Sequence, residues 1–169
     1  GLNVFNSRSL AYLKDKELES ACVSFELRFA QIRDLKKVLR AEAIVYGRLP
    51  LMITENCLVQ NETGCRLDRQ GLCVPEDGPC RCGQPNVLVD RTGAAFPLLP
   101  AYGHRTEIQN SKPLYLADRP EHRRLGLAYA RLRFTTETAE ECVSVVQNYL
   151  DAAPAAGDFT RGLYERGVE

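Results

Sequence analysis

The chain has 169 residues, enough to bury one good core or one core with a small appendage. Lys and Arg together number 22, as do Asp and Glu, which excludes a global electrostatic pull towards nucleic acid or anionic membrane. The composition is globular, and no apolar run approaches the roughly 18 residues of a membrane-spanning helix.

Three units of similar layout open the sequence. Leu2 to Asn6 reads as a short strand, and Ser9 caps a helix carrying Leu10 and Leu13 on one face. Ala21 to Phe25 is a second strand. A helix from Arg28 to Leu39 follows, with Ile32, Leu35 and Leu39 at helical spacing. Ala41 to Tyr46 is the third strand. Strands about twenty residues apart are the short βα unit of a parallel barrel or a doubly wound sheet. The expected fold class is α/β, a fragment of a TIM-like barrel of about three units, followed by a Cys-rich loop and a small α+β extension. Three units cannot close a barrel of eight. A partner or a missing part would then cover the open edge, with Val4, Val23 and Ile44 on an uncovered face. The start at Gly1, directly before a strand, fits an excised fragment or a tag scar.

Residues 49–85 form the Cys-rich segment, where Pro50, Pro75, Pro79 and Pro85 interrupt regular elements. A hairpin follows. Asn86 to Val89 alternates, Asp90-Arg91-Thr92-Gly93 turns, and Ala94 to Leu99 returns, with Pro97 marking an edge strand or a strand end. Short strands are expected at Thr106–Gln109, Leu114–Leu116 and Leu127–Phe134. Thr138 and Glu141 make a capping box for a helix to Leu150, with Cys142, Val143, Val146, Tyr149 and Leu150 on its apolar face. The expected organisation is 1–48 barrel units, 49–85 metal loop, 86–150 extension, and 151–169 linker and polar tail.

Five of the seven cysteines fall within twenty-six residues: Cys57, Cys65, Cys73, Cys80 and Cys82. Such a cluster is a metal site or a disulfide knot. The α/β units before it favour an intracellular protein with reduced thiols, hence metal and a cytoplasmic location. Cys80-x-Cys82 cannot easily close a disulfide on itself but can present two thiolates to one ion. Four thiolates suit tetrahedral zinc or a 4Fe-4S cluster equally, and the paired C-x-x-C knuckles of zinc ribbons are missing. Cys22, in a strand, and Cys142, on a helix face, read as core thiols.

Other chemistry is sparse. Strand ends in parallel α/β folds carry active sites, which makes Ser24, Glu26 and Arg48 candidates, although helix capping explains polar residues there as well. Glu55 and His104 complete the catalytic candidates. A histidine in a loop, as His104 and His122 both are, is more often a surface residue. Arg119, His122, Arg123, Arg124, Arg131 and Arg133 form a basic stretch. Asp118 and Glu121 interrupt it, which favours a solvated face over an RNA track.

Several segments together resemble the collagenase-like peptidase family U32. They are Gly1-Leu2-Asn3-Val4-Phe5-Asn6-Ser7, Val23-Ser24-Phe25-Glu26-Leu27, Tyr46-Gly47-Arg48-Leu49-Pro50-Leu51-Met52 and Thr54-Glu55-Asn56-Cys57. Downstream, Leu88 to Gly93 with Phe96-Pro97-Leu98, Ile108 to Ser111 with Pro113 to Leu116, and Thr160 to Tyr164 continue it in the same order. The last of these is similar to the closing motif of the longer, RNA-hydroxylation-type members. The resemblance implies a TIM-like barrel and, in some branches, a 4Fe-4S cluster on four cysteines. Cys57, Cys65 and Cys82 match the first three ligands, and Cys80, or Cys73, would stand in as the fourth.

Three functions follow as expectations. The first is an iron–sulfur protein of RNA base hydroxylation, with RNA as the full-length protein's substrate. The second is a peptidase, which needs a nucleophile and base or an open metal position. The third is a non-catalytic fragment in which a structural metal ion pins the loop, inactive alone and open to association as a homodimer; zinc, or no metal in an aerobic preparation, is the alternative to the 4Fe-4S cluster.

Overall fold

A computed structural model describes residues 3–68, 73–74 and 80–166. Gly1 and Leu2 of the expected first strand, the breakers Pro75 and Pro79, and Gly167 of the tail lie outside the described residues. The elements run α1 (Ser7–Asp15), β1 (Ser20–Cys22), α2 (Phe29–Asp34), β2 (Arg40–Gly47), β3 (Pro50–Thr54), α3 (Leu58–Thr63), β4 (Arg66–Leu67), β5 (Cys73–Val74), β6 (Asn86–Val89), β7 (Ala95–Ala101), β8 (Arg105–Gln109), β9 (Leu114–Tyr115), β10 (Tyr129–Leu132) and α4 (Ala139–Asp151). Short 3-10 turns fall at Arg81–Gly83 and Pro120–Arg124. The chain is mixed α/β and forms two compact units. One joins residues 1–47 to 112–169, and the other is 48–111. The first bound falls within one residue of the expected 48/49 boundary, and the second, at 111/112, divides the expected segment 86–150.

The first unit is built on parallel strands. Val4 bridges Val23 in parallel, β1 pairs in parallel with β2, and β10 pairs in parallel with the other side of β2. The expected three parallel segments are therefore joined by a fourth that arrives some eighty residues later. β9 pairs antiparallel with the end of β2, placing Tyr46 opposite Tyr115. Gly47 ends β2 with φ +118, and a Cβ there would lie 2.0 Å from the Arg133 carbonyl oxygen. Only glycine allows that approach.

The helices correct the sequence reading in detail. Asn6, not Ser9, caps α1, because the extended Asn6 carboxamide oxygen accepts from the Ser9 amide (3.0 Å) inside the first turn. Leu10 and Leu13 are buried as expected. α2 is half the expected length and does not reach Leu39. Leu35 turns extended, and the Lys37 ammonium folds back on the carbonyls of Ile32 (2.6 Å) and Arg33 (3.2 Å), satisfying acceptors that end the helix. Of the residues expected on an open face, Val4 and Val23 are each 2% exposed and Ile44 is half-buried.

α4 begins at the expected Thr138–Glu141 capping box. Its packing face is rotated from the expected one. Val143 and Leu150 are about 70% exposed, while Val145 and Tyr149 pack against Tyr46, Tyr115 and Ala117. Tyr149 explains the rotation: its hydroxyl accepts from the Leu116 amide (2.8 Å) and donates to the Val45 carbonyl. The expected polar tail belongs to the core. Tyr164 is buried, stacks on Phe29 with ring centroids 5.3 Å apart, and donates to the Ile44 carbonyl (2.6 Å). Arg161 forms a double hydrogen bond with the Asp118 carboxylate (2.6 and 2.8 Å) and also donates to the Tyr115 carbonyl.

In the second unit the order is β3-β8-β7-β6, all antiparallel, with β4 and β5 forming a separate ribbon. Residues 49–85 thus carry regular elements despite their prolines, since Pro50 starts an edge strand where its missing N–H is tolerated. Pro97 marks neither an edge strand nor a strand end: β7 runs on to Ala101 between β6 and β8. It lies opposite Val87, one residue before pairing to β8 begins at Leu98, and Pro100 lies beyond the last pairing to β6. Each proline stands where β7 has one neighbour, so each can turn its nitrogen to the unpaired side.

Replacing Tyr164 by Ala is expected to destabilise the fold by about 3–5 kcal/mol in denaturant titration, and by Phe about 1 kcal/mol, the value of one hydrogen bond. Equal effects would contradict the buried stacking. Asp118 is held below the ordinary carboxylate range by the hydrogen bonds from Arg161. Its folded pKa is depressed, so its contribution is complete above about pH 4 and is lost as pH falls through the folded value. Thermal melts from pH 7 down to 2 should therefore show a steeper loss for the wild type than for Asp118→Asn.

Candidate metal centre

The second unit brings the five clustered cysteines together by local means. Cys57 and Cys65 flank the six-residue α3, which is capped at its end by Gly64 in the left-handed region. The Thr106 hydroxyl accepts from the Leu58 amide (3.0 Å), fixing the start of that helix to β8. The β4–β5 ribbon sets Cys73 opposite Leu67, two residues beyond Cys65. Cys80 and Cys82 flank the start of the 3-10 turn, which packs against α3 and β7. The Asn86 side chain donates to the carbonyls of Arg81 (2.8 Å) and Gln84 (2.7 Å) and ties that turn to β6.

The Sγ atoms of Cys73, Cys80 and Cys82 all lie within 4.8 Å of one another, a span that a metal ion can fill. Cys80 and Cys82 are 2.9 Å apart, as two thiols and not as a disulfide. Cys57 and Cys65 are buried beside them, and the Thr63 hydroxyl donates to the Cys65 sulfur (3.4 Å). All seven cysteines are free thiols.

The electrostatics are those of donors crowded together without a cation. A hydrogen bond from the Cys82 thiol holds Cys80 below the ordinary thiol range, with smaller help from Cys73 and Cys65. Burial, then hydrogen bonding to Cys80 and the charges of Cys80, Cys82 and Cys65, pushes Cys73 up to about 12. Cys82, which donates to Cys80 and feels its charge and that of Cys57, is pushed up to about 11. One thiolate forms readily here and suppresses the next, and a bound cation reverses that order.

The catalytic candidates are divided between the two units. Ser24 and Glu26 belong to the first unit, and Ser24 Oγ accepts from the Glu26 amide (3.3 Å), a turn contact. In the second unit, Arg48 donates to the carbonyls of Asn110 (3.0 Å) and Ser111, and the Glu55 carboxylate takes the Arg105 guanidinium (2.9 Å). His104 is different. It sits in the β7–β8 turn with φ +59, and its Nδ1 lies 3.6 Å from Cys73 Sγ. Its place beside the thiols was missed in the sequence because thirty-one residues separate it from Cys73. A tight β7–β8 turn at Tyr102-Gly103-His104 was the available signal.

His122 is buried rather than on the surface, with Nδ1 against the Arg119 carbonyl, and burial lowers its pKa. The basic stretch is engaged internally: Arg119 pairs with Glu165, Arg131 with Glu42, and Arg123 donates to the Tyr149 carbonyl. Cys22 and Cys142 are half-buried in the first unit, and Cys22 donates to the Val23 carbonyl (3.6 Å). No helix among the described residues is long and apolar enough to cross a membrane.

Fold and site together define a mixed α/β protein with a thiol cluster able to hold a metal ion. The model of Peptidase family U32 matches residues 1–91, more than half of the chain, and the chain belongs to that family. Neither the curated proteins nor the solved structures contain a significant match to it.

In metal-free, reduced protein, iodoacetamide at mildly alkaline pH is expected to modify Cys80 before Cys73 and Cys82, read by peptide mass spectrometry. Simultaneous modification of all three would contradict the thiol order described above.

Proposed function

We propose that the chain is the part of a barrel-type U32 enzyme that carries a 4Fe-4S cluster, and that the whole enzyme uses the cluster in hydroxylating an RNA base. The single observation behind the metal centre is the convergence of the free thiols of Cys73, Cys80 and Cys82, within 4.8 Å of one another, in the unit that also holds the buried Cys57 and Cys65. The residues fit such a group: soft thiolate donors suit an iron–sulfur cluster, and their number meets its four ligands. Cys57, Cys65, Cys80 and Cys82 would hold it, with Cys73 as the alternative to Cys80. When bound, the cluster supplies one-electron transfer that protein side chains lack. The buried Cys57 and Cys65 and the Asn86-tied turn hold donor positions and keep water from two of the sulfurs.

The parallel order of Val4, β1, β2 and β10 supports the barrel reading. The RNA substrate follows from the resemblance to the long family members. The peptidase alternative lacks support from geometry, since its candidate residues are engaged in turns and ion pairs. A structural zinc centre on Cys73, Cys80 and Cys82 is favoured by their tight spacing and remains the second reading.

The test is nucleoside mass spectrometry of RNA from cells lacking the full-length protein, complemented with wild type or with Cys57→Ser/Cys82→Ser. A hydroxylated nucleoside restored by wild type alone is expected. An unchanged nucleoside profile, together with zinc in place of iron in the purified protein, would overturn the redox reading in favour of the structural one.

A further inference from the structure

We propose that His104 is a metal ligand, completing through Nδ1 the donor set begun by Cys73, Cys80 and Cys82. The inference rests on the second reading above, a single ion on Cys73, Cys80 and Cys82, and not on the 4Fe-4S assignment. A tetrahedral ion needs four donors, and the three mutually close sulfurs supply three. His104 Nδ1 lies 3.6 Å from Cys73 Sγ, the spacing of two ligands of one ion, while the set within 4.8 Å of one another is the three sulfurs alone. Metal–sulfur bonds of about 2.3 Å and metal–nitrogen bonds of about 2.0–2.1 Å, set at a tetrahedral angle, put the donor atoms about 3.5 Å apart.

The backbone places the ring there for a reason. Gly103 (φ +74) and His104 (φ +59) are consecutive left-handed residues linking β7 to β8. Glycine takes that conformation freely, while histidine does so at a cost that its surroundings must support. In this turn the half-buried imidazole reaches Cys73 across the sheet end.

Ligation through Nδ1 leaves the proton on Nε2, and each cysteine that binds releases its thiol proton. A neutral imidazole in place of a fourth thiolate leaves the centre one charge less negative. The nitrogen donor would thus set this site apart from an all-cysteine one.

The experiment loads the anaerobic, reduced 169-residue chain with Co(II), whose visible and X-ray absorption spectra report donor type and number. Wild type is expected to take up Co(II) with mixed sulfur and nitrogen ligation, including imidazole backscattering. His104→Asn keeps a residue that tolerates the left-handed turn. It should lose the imidazole signal and bind Co(II) at least about tenfold more weakly, since loss of even an outer-sphere partner costs that much. His104→Cys should restore tight binding with a spectrum of sulfur ligands alone. Circular dichroism of each variant checks that the fold is kept. Tight binding with sulfur ligands only, unchanged in His104→Asn, would overturn the role of His104 and leave the thiol centre standing. Failure of wild type to bind Co(II) at all would overturn both.

Discussion

Cys73, Cys80 and Cys82, with sulfurs within 4.8 Å of one another, cannot all ionise together, and this restraint governs the chemistry of the second unit. Hydrogen bonds from its neighbours hold Cys80 below the ordinary range, while burial first and Cys80 second raise Cys73, and Cys80 first and burial second raise Cys82. A helix end, a two-residue ribbon, a 3-10 turn and a side-chain amide all serve to hold the clustered sulfurs in place. The positive charge of a metal converts mutual suppression into mutual support.

The first unit meets a different constraint. Its parallel sheet is assembled from segments on both sides of residues 48–111, and β10, which pairs with β2, follows that intervening unit in the chain. Two aromatic residues then lock the late segment to the early one. Tyr149 bonds the Val45 carbonyl and Tyr164 the Ile44 carbonyl, so consecutive positions of β2 are read by residues a hundred or more positions away. Contacts of that separation make the order of assembly slow in principle and the finished unit cooperative.

Local patterns were legible in the sequence where one segment decides its own structure. The Thr138–Glu141 capping box, the hairpin across Asp90 to Gly93, and the βα alternation of residues 4–46 all follow from nearest neighbours. What depends on distant partners was not legible. The early end of α2 is set by Lys37 reaching back to carbonyls, the burial of Tyr164 by Phe29, and the rotation of α4 by Tyr149. The same holds at the site. Clustering in sequence pointed to the five cysteines, whereas the approach of His104 to Cys73 depends on how β7 turns into β8 and on where the β4–β5 ribbon lies.

The central claim is that the thiol cluster of this U32 family member exists to hold a metal centre. Its most direct test is iron, zinc and acid-labile sulfide analysis of full-length protein purified without air. The account predicts iron and sulfide in near-equal amounts, about four of each per chain. Protein with neither iron nor zinc, and with all five clustered thiols freely alkylated, would contradict it.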